Sequence, residues 1–338
     1  QPGDEDKVFY KLSVPKKVIV MLGGPIMNLV LAVVLLAALV SGIGVPTLVP
    51  TVSSVAECVP STAPTVTKPE PSCVVGDAVP PAVVAGLRAG DRIVAVDGRP
   101  VTLWSEVTTL IRAAAGRSLT LTVERTGEQL TLTAPIVGVA RTAYTPEGRP
   151  KTTADGTLVT DMVGYLGATA SRDYVAQPIT RVPELLGNML GTVVTALGTF
   201  PAKLVGVAQT LLGGGDRDPE GPVSVVGIGR AGGEIASGQL GGDGPKGVIY
   251  QFLWLVFGLN LMLFFFNLLP VLPLDGGQVV GALWEGIKRT GARLLGRPDP
   301  GYVDVAKGLP IAYAVSTVLI AMTLMLVIAD LVKPISLG

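Results

Sequence analysis

Three apolar runs constrain this chain before anything else does: Val18 to Val40, Val248 to Leu274 and Leu309 to Val332. Each is long enough to cross about 30 Å of hydrocarbon, and a helix in a soluble core seldom needs so many consecutive apolar residues. The 338 residues include only 15% charged side chains, and the mean hydropathy is +0.55, too apolar for an ordinary soluble protein. The expected fold class is a multi-span α-helical membrane protein, with three spans in this chain around a non-membrane insert.

The second run closes on Asn267-Leu268-Leu269-Pro270-Val271-Leu272-Pro273-Leu274-Asp275-Gly276-Gly277, which puts a carboxylate at membrane depth. An ionised acid there costs roughly 2.5 to 3.5 kcal/mol even on lenient scales, so such residues usually face a bundle interior and serve ion, proton or catalytic chemistry. Pro270 and Pro273 each remove a backbone donor, and broken backbone at that depth is tolerated only inside protein or beside a water-filled cavity. The plain alternative is a helix end at the interface, with Asp275-Gly276-Gly277 as an exposed turn.

Lys and Arg balance Asp and Glu at 26 each, so nothing electrostatic points to a nucleic-acid partner. Lys11, Lys16 and Lys17 precede the first run; Lys288, Arg289, Arg293, Arg297 and Lys307 lie between the second and third. Both flanks are expected to be cytoplasmic, with residues from about 43 to 246 and the C-terminus outside. Cys58 and Cys73, the only cysteines, fall in that outer part and suit one disulfide; two unpaired thiols are the alternative.

Within the insert, Pro80 to Val101 reads as a short helix, a turn at Gly90-Asp91, a buried strand and a turn at Asp97-Gly98. Leu103 to Ala115 follows as an amphipathic helix, and Leu119 to Val123 with Leu130 to Thr133 as a hairpin turned at Thr126-Gly127. Tyr174 to Leu212 is interrupted by Arg181, Pro183, Glu184, Pro201 and Lys203. It reads as helices lying on the outer membrane surface or capping the protein, with a membrane hairpin as the alternative and Gly213-Gly214-Gly215-Asp216 as a loop. Gly227 to Gly232 fits G-x-G-x-x-G, but the position twenty beyond Gly232 is Phe252, inside an apolar run, so nucleotide binding is not expected.

The Asn267-x-x-Pro270-x-x-x-x-Asp275-Gly276 pattern resembles the third-helix motif of the site-2 proteases, zinc metalloproteases that cut inside membranes. Gly24-Pro25-Ile26-Met27-Asn28 resembles their Gly-Pro-x-x-Asn motif, and Gly221 to Gly227 resembles the segment before their third helix. Residues 50 to 137, with Ala85-Gly86-Leu87 and Gly90-Asp91 at their core, resemble the PDZ domains of bacterial membrane proteases. Coverage is weakest between about 140 and 215, and the single PDZ points to the actinobacterial type.

This resemblance implies a layout: a cytoplasmic loop remnant at 1–17, a span at 18–42 and an extracytoplasmic PDZ domain with a cysteine-bearing insertion at 43–140. Cap or membrane-surface helices follow at 141–246, a motif-bearing span at 247–277, a cytoplasmic loop at 278–308 and a last span at 309–333. It further implies Zn2+ as cofactor with Asp275 as a ligand, Asn267, Pro270 and Pro273 as an extended segment holding substrate backbone, and Gly24, Pro25, Asn28, Gly276 and Gly277 as motif and packing residues. Single-pass membrane proteins such as clipped anti-sigma factors are the implied substrates, in contact with membrane lipid of the bacterial plasma membrane. A peptide in the PDZ groove is a further implied partner, unless the domain acts as a size filter.

In that family the other two ligands, and the general-base Glu, belong to an H-E-x-x-H helix. This chain has no histidine and begins Gln1-Pro2-Gly3, while Val8 to Lys17 resembles the loop leading to the family's second helix; an N-terminal truncation, inactive as written, is the expectation. Gln278 stands where many relatives carry a further histidine that is not a ligand. The rival is a catalytically inactive membrane PDZ protein that binds peptides or scaffolds a complex. A transporter using Asp275 for proton coupling is weaker, since no internal repeat is visible.

Overall fold

The computed structural model describes residues 12–61, 64, 73, 74, 76–145, 150–153, 155–215, 217–219, 221–238, 244–298, 301 and 308–335. Lys11, the loop remnant before it, Asp216, Lys307 and most of the stretch between the two cysteines lie outside the described residues. The chain divides into two compact units, one of residues 1–45 with 176–338 and the other of 46–175.

The smaller unit is built on a sheet. Its strands are β1 (Val45–Val55), β2 (Arg92–Val96), β3 (Arg99–Pro100), β4 (Ser118–Arg125), β5 (Glu128–Pro135) and β8 (Ala168–Val175), in the order β5-β4-β2-β1-β8 with β3 folded back on β2. β6 (Val137–Thr142) and β7 (Thr160–Tyr165) form a separate antiparallel pair. Thr126 and Gly127 both take positive φ, as a two-residue hairpin turn between right-twisted strands requires. The short helix α2 (Pro81–Val84) and the amphipathic α3 (Trp104–Arg112) cover one face. Val107 and Ile111 of α3 pack into a core with Val52, Ala82, Ile93, Val96, Leu121 and Val123. The unit thus takes in β6, β7 and β8, beyond a boundary drawn at residue 140.

Asp91 anchors the turn before β2. It is 1% exposed and takes a two-pronged contact from Arg125, Nε to Oδ1 and Nη2 to Oδ2, each at 2.7 Å. The Arg88 amide donates to the same carboxylate at 2.8 Å. The Arg125 guanidinium holds the Asp91 carboxyl below the usual carboxylate range, outweighing burial, which acts the other way. Cys58 and Cys73 form a disulfide, with Cα atoms 6.1 Å apart.

The larger unit is helical: α1 (Val14–Ala37), continued by a π-helical turn over Ala38–Ile43, then α4 (Val182–Gly213), α5 (Val225–Ala236), α6 (Gly244–Leu268), α7 (Asp275–Leu294) and α8 (Leu309–Val332). Ala32, Leu36, Leu39 and Val40 of the first helix pack with Val182, Val193, Phe257 and Leu261.

Two expectations are corrected here. Residues 278–308 do not form a loop throughout: α7 runs to Leu294, because Val280, Leu283, Trp284 and Ile287 recur at helical spacing. Tyr174 to Leu212 holds one helix of 32 residues rather than several; Pro183 sits in its first turn, where the missing N–H is no loss. Among the described residues four helices, not three, are long and apolar enough to cross a membrane: Val14–Ile43, Ile179–Gly213, Gly244–Leu268 and Leu309–Val332. Length alone does not make α4 a crossing, however. Gln177, just before it, donates to the Val40 carbonyl at 2.9 Å, while at its other end Lys333 Nζ reaches the Thr210 carbonyl at 3.0 Å. Val40 and Lys333 terminate α1 and α8 on the side away from Asp275, and only the middle of α4, beside Pro201, reaches α6 near its end through Phe200 and Phe266 (centroids 6.0 Å apart).

Candidate active site

Asp275 is the first residue of α7, where the helix macrodipole favours a carboxylate. What holds it there is a tight break between α6 and α7. The Val271 amide donates to the Leu269 carbonyl at 2.7 Å and the Leu274 amide to the Val271 carbonyl at 2.9 Å, and the Leu272-Pro273 peptide is cis. Asn267 lies in the last turn of α6, while Pro270 and Pro273 lie in the break. The segment expected to be extended is therefore a compact turn, because its own amides close on its own carbonyls. Gly276 and Gly277 permit that closure. A Cβ on Gly276 would collide with the Leu268 and Leu269 carbonyl oxygens, and one on Gly277 would sit 2.6 Å from the Leu272 nitrogen.

Three contacts align α7 with α1. Asp275 Oδ2 is 3.7 Å from where a Cβ on Gly24 would stand; Lys17 Nζ meets Glu285 Oε2 at 2.9 Å; Val14 packs on Gly286. Descending numbers on α1 pair with ascending numbers on α7, so the two run antiparallel. At 1.5 Å per residue, Gly24 lies about 15 Å along α1 from its start, inside the apolar run that begins at Val18. Helices α6 and α7 are thus two consecutive helices separated by a tight break, with the acid at the start of the second.

The structure brings the two motifs together, with Gly24 beside Asp275. Pro25 is buried in α1, where it cannot donate to the Met21 carbonyl; Asn28 lies one turn beyond Gly24. Gly24 is exposed, as are Val20, Met27, Leu31 and Val34, which continue its stripe along α1. Among the described residues, Cys58, Cys73 and Asp77 make the only grouping of three potential metal ligands, and the disulfide has consumed both sulfurs. The zinc fit is therefore partial: Asp275 is a suitable oxygen donor on an open face, and no histidine exists in this sequence to join it.

A second candidate site lies wholly in the smaller unit. β8 is the last strand of the sheet order, so its outer edge is unpaired among the described residues. A groove of about 590 Å³ opens between α3 and the segment leading into β8, lined by Trp104, Thr108, Arg112, Arg141, Tyr165 and Ala168. At its head the chain turns through Gly164-Tyr165-Leu166-Gly167. Gly167 has φ +82, and Gly164 lies so close to the Ile111 carbonyl that no side chain fits. Burial raises the Tyr165 phenol above its ordinary range, the nearby Arg141 charge pulling the other way. The resemblance implied a peptide groove in this unit but named none of these residues. Their signal was the pair of glycines around Tyr165-Leu166, just before the alternating run that forms β8.

Fold and site together define a polytopic membrane protein that holds a carboxylate at a helix break midway along its bundle. Comparison with known proteins identifies the kind: the chain matches Peptidase family M50 over residues 1–294 and belongs to that family, the site-2 proteases. It is 32% identical to zinc metalloprotease Rip1 of Mycobacterium tuberculosis over 343 residues, covering 99% of this chain and 80% of the relative. Rip1 of Mycolicibacterium smegmatis is 31% identical over 99% of the chain and 79% of the relative. The Escherichia coli regulator of sigma-E protease RseP is 30% identical over 60% of the chain and 40% of the relative.

Proposed function

We propose that this chain carries one half of the catalytic centre of an intramembrane zinc endopeptidase, with Asp275 as a metal ligand. The observation that carries the reading is the placement of Asp275 at the α6–α7 break, against Gly24 on an exposed face of the apolar helix α1. That face, from Val20 through Gly24 to Val34, leaves room for a ligand-bearing helix to approach the carboxylate. The remaining ligands and the general-base Glu would come from an H-E-x-x-H segment outside this sequence; about a fifth of Rip1 is unmatched by the chain. On this reading the chain alone is inactive.

When bound, zinc supplies a Lewis acid and a water acidic enough to attack a peptide bond. This chain's residues supply the setting. Asp275 donates an oxygen, Gly276 and Gly277 let the break close beneath it, and Asn267, Pro270 and Pro273 shape the surface over which an unwound substrate segment would pass. Single-pass membrane proteins are the proposed substrates, clipped anti-sigma factors among them, in keeping with a relative named as a regulator of sigma-E. None of the relatives' names favours the scaffold alternative.

The smaller unit we read as a PDZ domain that takes an extended peptide along β8 against α3, main-chain bonds at the strand edge giving affinity. Its disulfide favours the oxidising, extracytoplasmic side of the bacterial plasma membrane. Asp275→Ala and Asp275→Asn in the intact protease should each lower cleavage of a single-pass reporter by more than about 100-fold and release zinc. Full cleavage with zinc retained would overturn the ligand assignment.

A further inference from the structure

We infer that Lys17 and Glu285 are positioning residues: their buried ion pair sets the register of α7 against α1, and with it the depth at which Asp275 is presented. The inference rests on the reading of Asp275 as a metal ligand. Lys17 is 4% exposed and Glu285 3%. Lys17 Nζ donates to Oε1 at 3.0 Å and to Oε2 at 2.9 Å, with Arg289 Nη1 3.5 Å from Oε1. A buried ion pair is seldom more stabilising than an apolar pair of the same volume, and its best-attested use is to specify register.

Register needs specifying here. The face of α7 turned to α1 carries Ala282 and Gly286, both small and one turn apart. A slip of one turn would put Ala282 where Gly286 now meets Val14, asking only that the Val14 side chain give by a few tenths of an ångström. The same slip would bring Gly281 to the place of Glu285, and the opposite slip would bring Arg289 there and Thr290 against Val14. The first leaves a buried lysine without its acid, and the second sets two cations together. Apolar packing along this seam is therefore nearly degenerate, and the ion pair breaks the tie. The stake is position: one turn is about 5.4 Å, more than twice a zinc–oxygen bond of about 2.1 Å.

Disulfide trapping reads register directly. A Cβ on Gly286 would stand 3.8 Å from the Val14 Cβ, the mean separation in disulfides. In a chain otherwise unchanged, V14C should cross-link to G286C in preference to A282C or T290C by at least about tenfold, the ratio that 1.4 kcal/mol gives. The apolar pair K17M/E285M, which keeps the seam filled, should bring the three yields toward equality, and the reversed pair K17E/E285K should restore the preference. Zinc retention by the intact protease, measured on the same charge variants, should fall and recover in step. An unchanged cross-linking ratio in K17M/E285M overturns the positioning role, whatever Asp275 does. A scrambled register with zinc fully retained breaks the link to the site, whereas zinc retained in D275A would instead sink the ligand reading.

Discussion

Gly276 and Gly277 show how little freedom the site leaves to single residues. Neither is in the left-handed region; each is glycine because the break folds back onto the first turn of α7 and occupies the space of a side chain. Gly276→Ala should cost about 1 to 3 kcal/mol, the range for overpacking, and displace Asp275. Thermal unfolding in detergent with zinc content measured alongside would check this, and native values for both would refute it. Asp91 carries a different kind of constraint. Its carboxyl titrates lower folded than unfolded, so its contribution is fully present above about pH 4 and is lost as pH falls through the depressed folded value. Asp91→Asn should destabilise the smaller unit by about 3 kcal/mol at neutral pH and flatten its acid limb, read by hydrogen exchange in β2 and β4. At this scale the sequence was legible wherever chemistry is local: an acid in an apolar run, a glycine beside it. The glycines of the groove went unread because their meaning lies in Ile111, more than fifty positions earlier.

Among the elements, α7 was the hardest to read. Its Glu285, Lys288, Arg289 and Arg293 made it look like a loop between spans, yet two of those charges meet each other or Lys17, and the opposite stripe of Val280, Leu283, Trp284 and Ile287 is exposed and apolar. A helix laid in or against the membrane would give that stripe lipid to face; a cytoplasmic loop would give it water. Val280→Asp should thus lower the yield of folded membrane protein, at a cost approaching 2.5 kcal/mol, and wild-type yield would speak for a loop at the surface. Helices α1, α6 and α8 were plain from hydropathy alone. For α4 the interrupting charges pointed to fragments, but Arg181 and Glu184 pair with each other at its start, and Lys203 pairs with Asp218.

For the molecule as a whole, the pattern of apolar runs predicted a helical bundle with an insert, and the motifs predicted the family. What no local pattern could show is how distant segments are fastened. Asp330, buried near the end of α8, accepts the Ser224 amide at 2.6 Å and the Gly227 amide at 3.2 Å and pairs with Arg217. Replacing it by Asn should weaken bonds to a charged acceptor by about 2 kcal/mol and speed exchange of the Ser224 and Gly227 amides some 30-fold; unchanged protection would show the latch to be incidental. Lys17 and Glu285 carry a still longer separation, 268 residues. At synthesis rates of about 5 to 20 residues per second, the lysine is added to the chain roughly 13 to 54 s before its acid. Through that interval the first helix must keep a cation that still lacks Glu285 wet at its end, which a long flexible side chain near the interface can do. Helix α7, by contrast, meets its partner already waiting, so a late part of the bundle is also the part that locks the site into place.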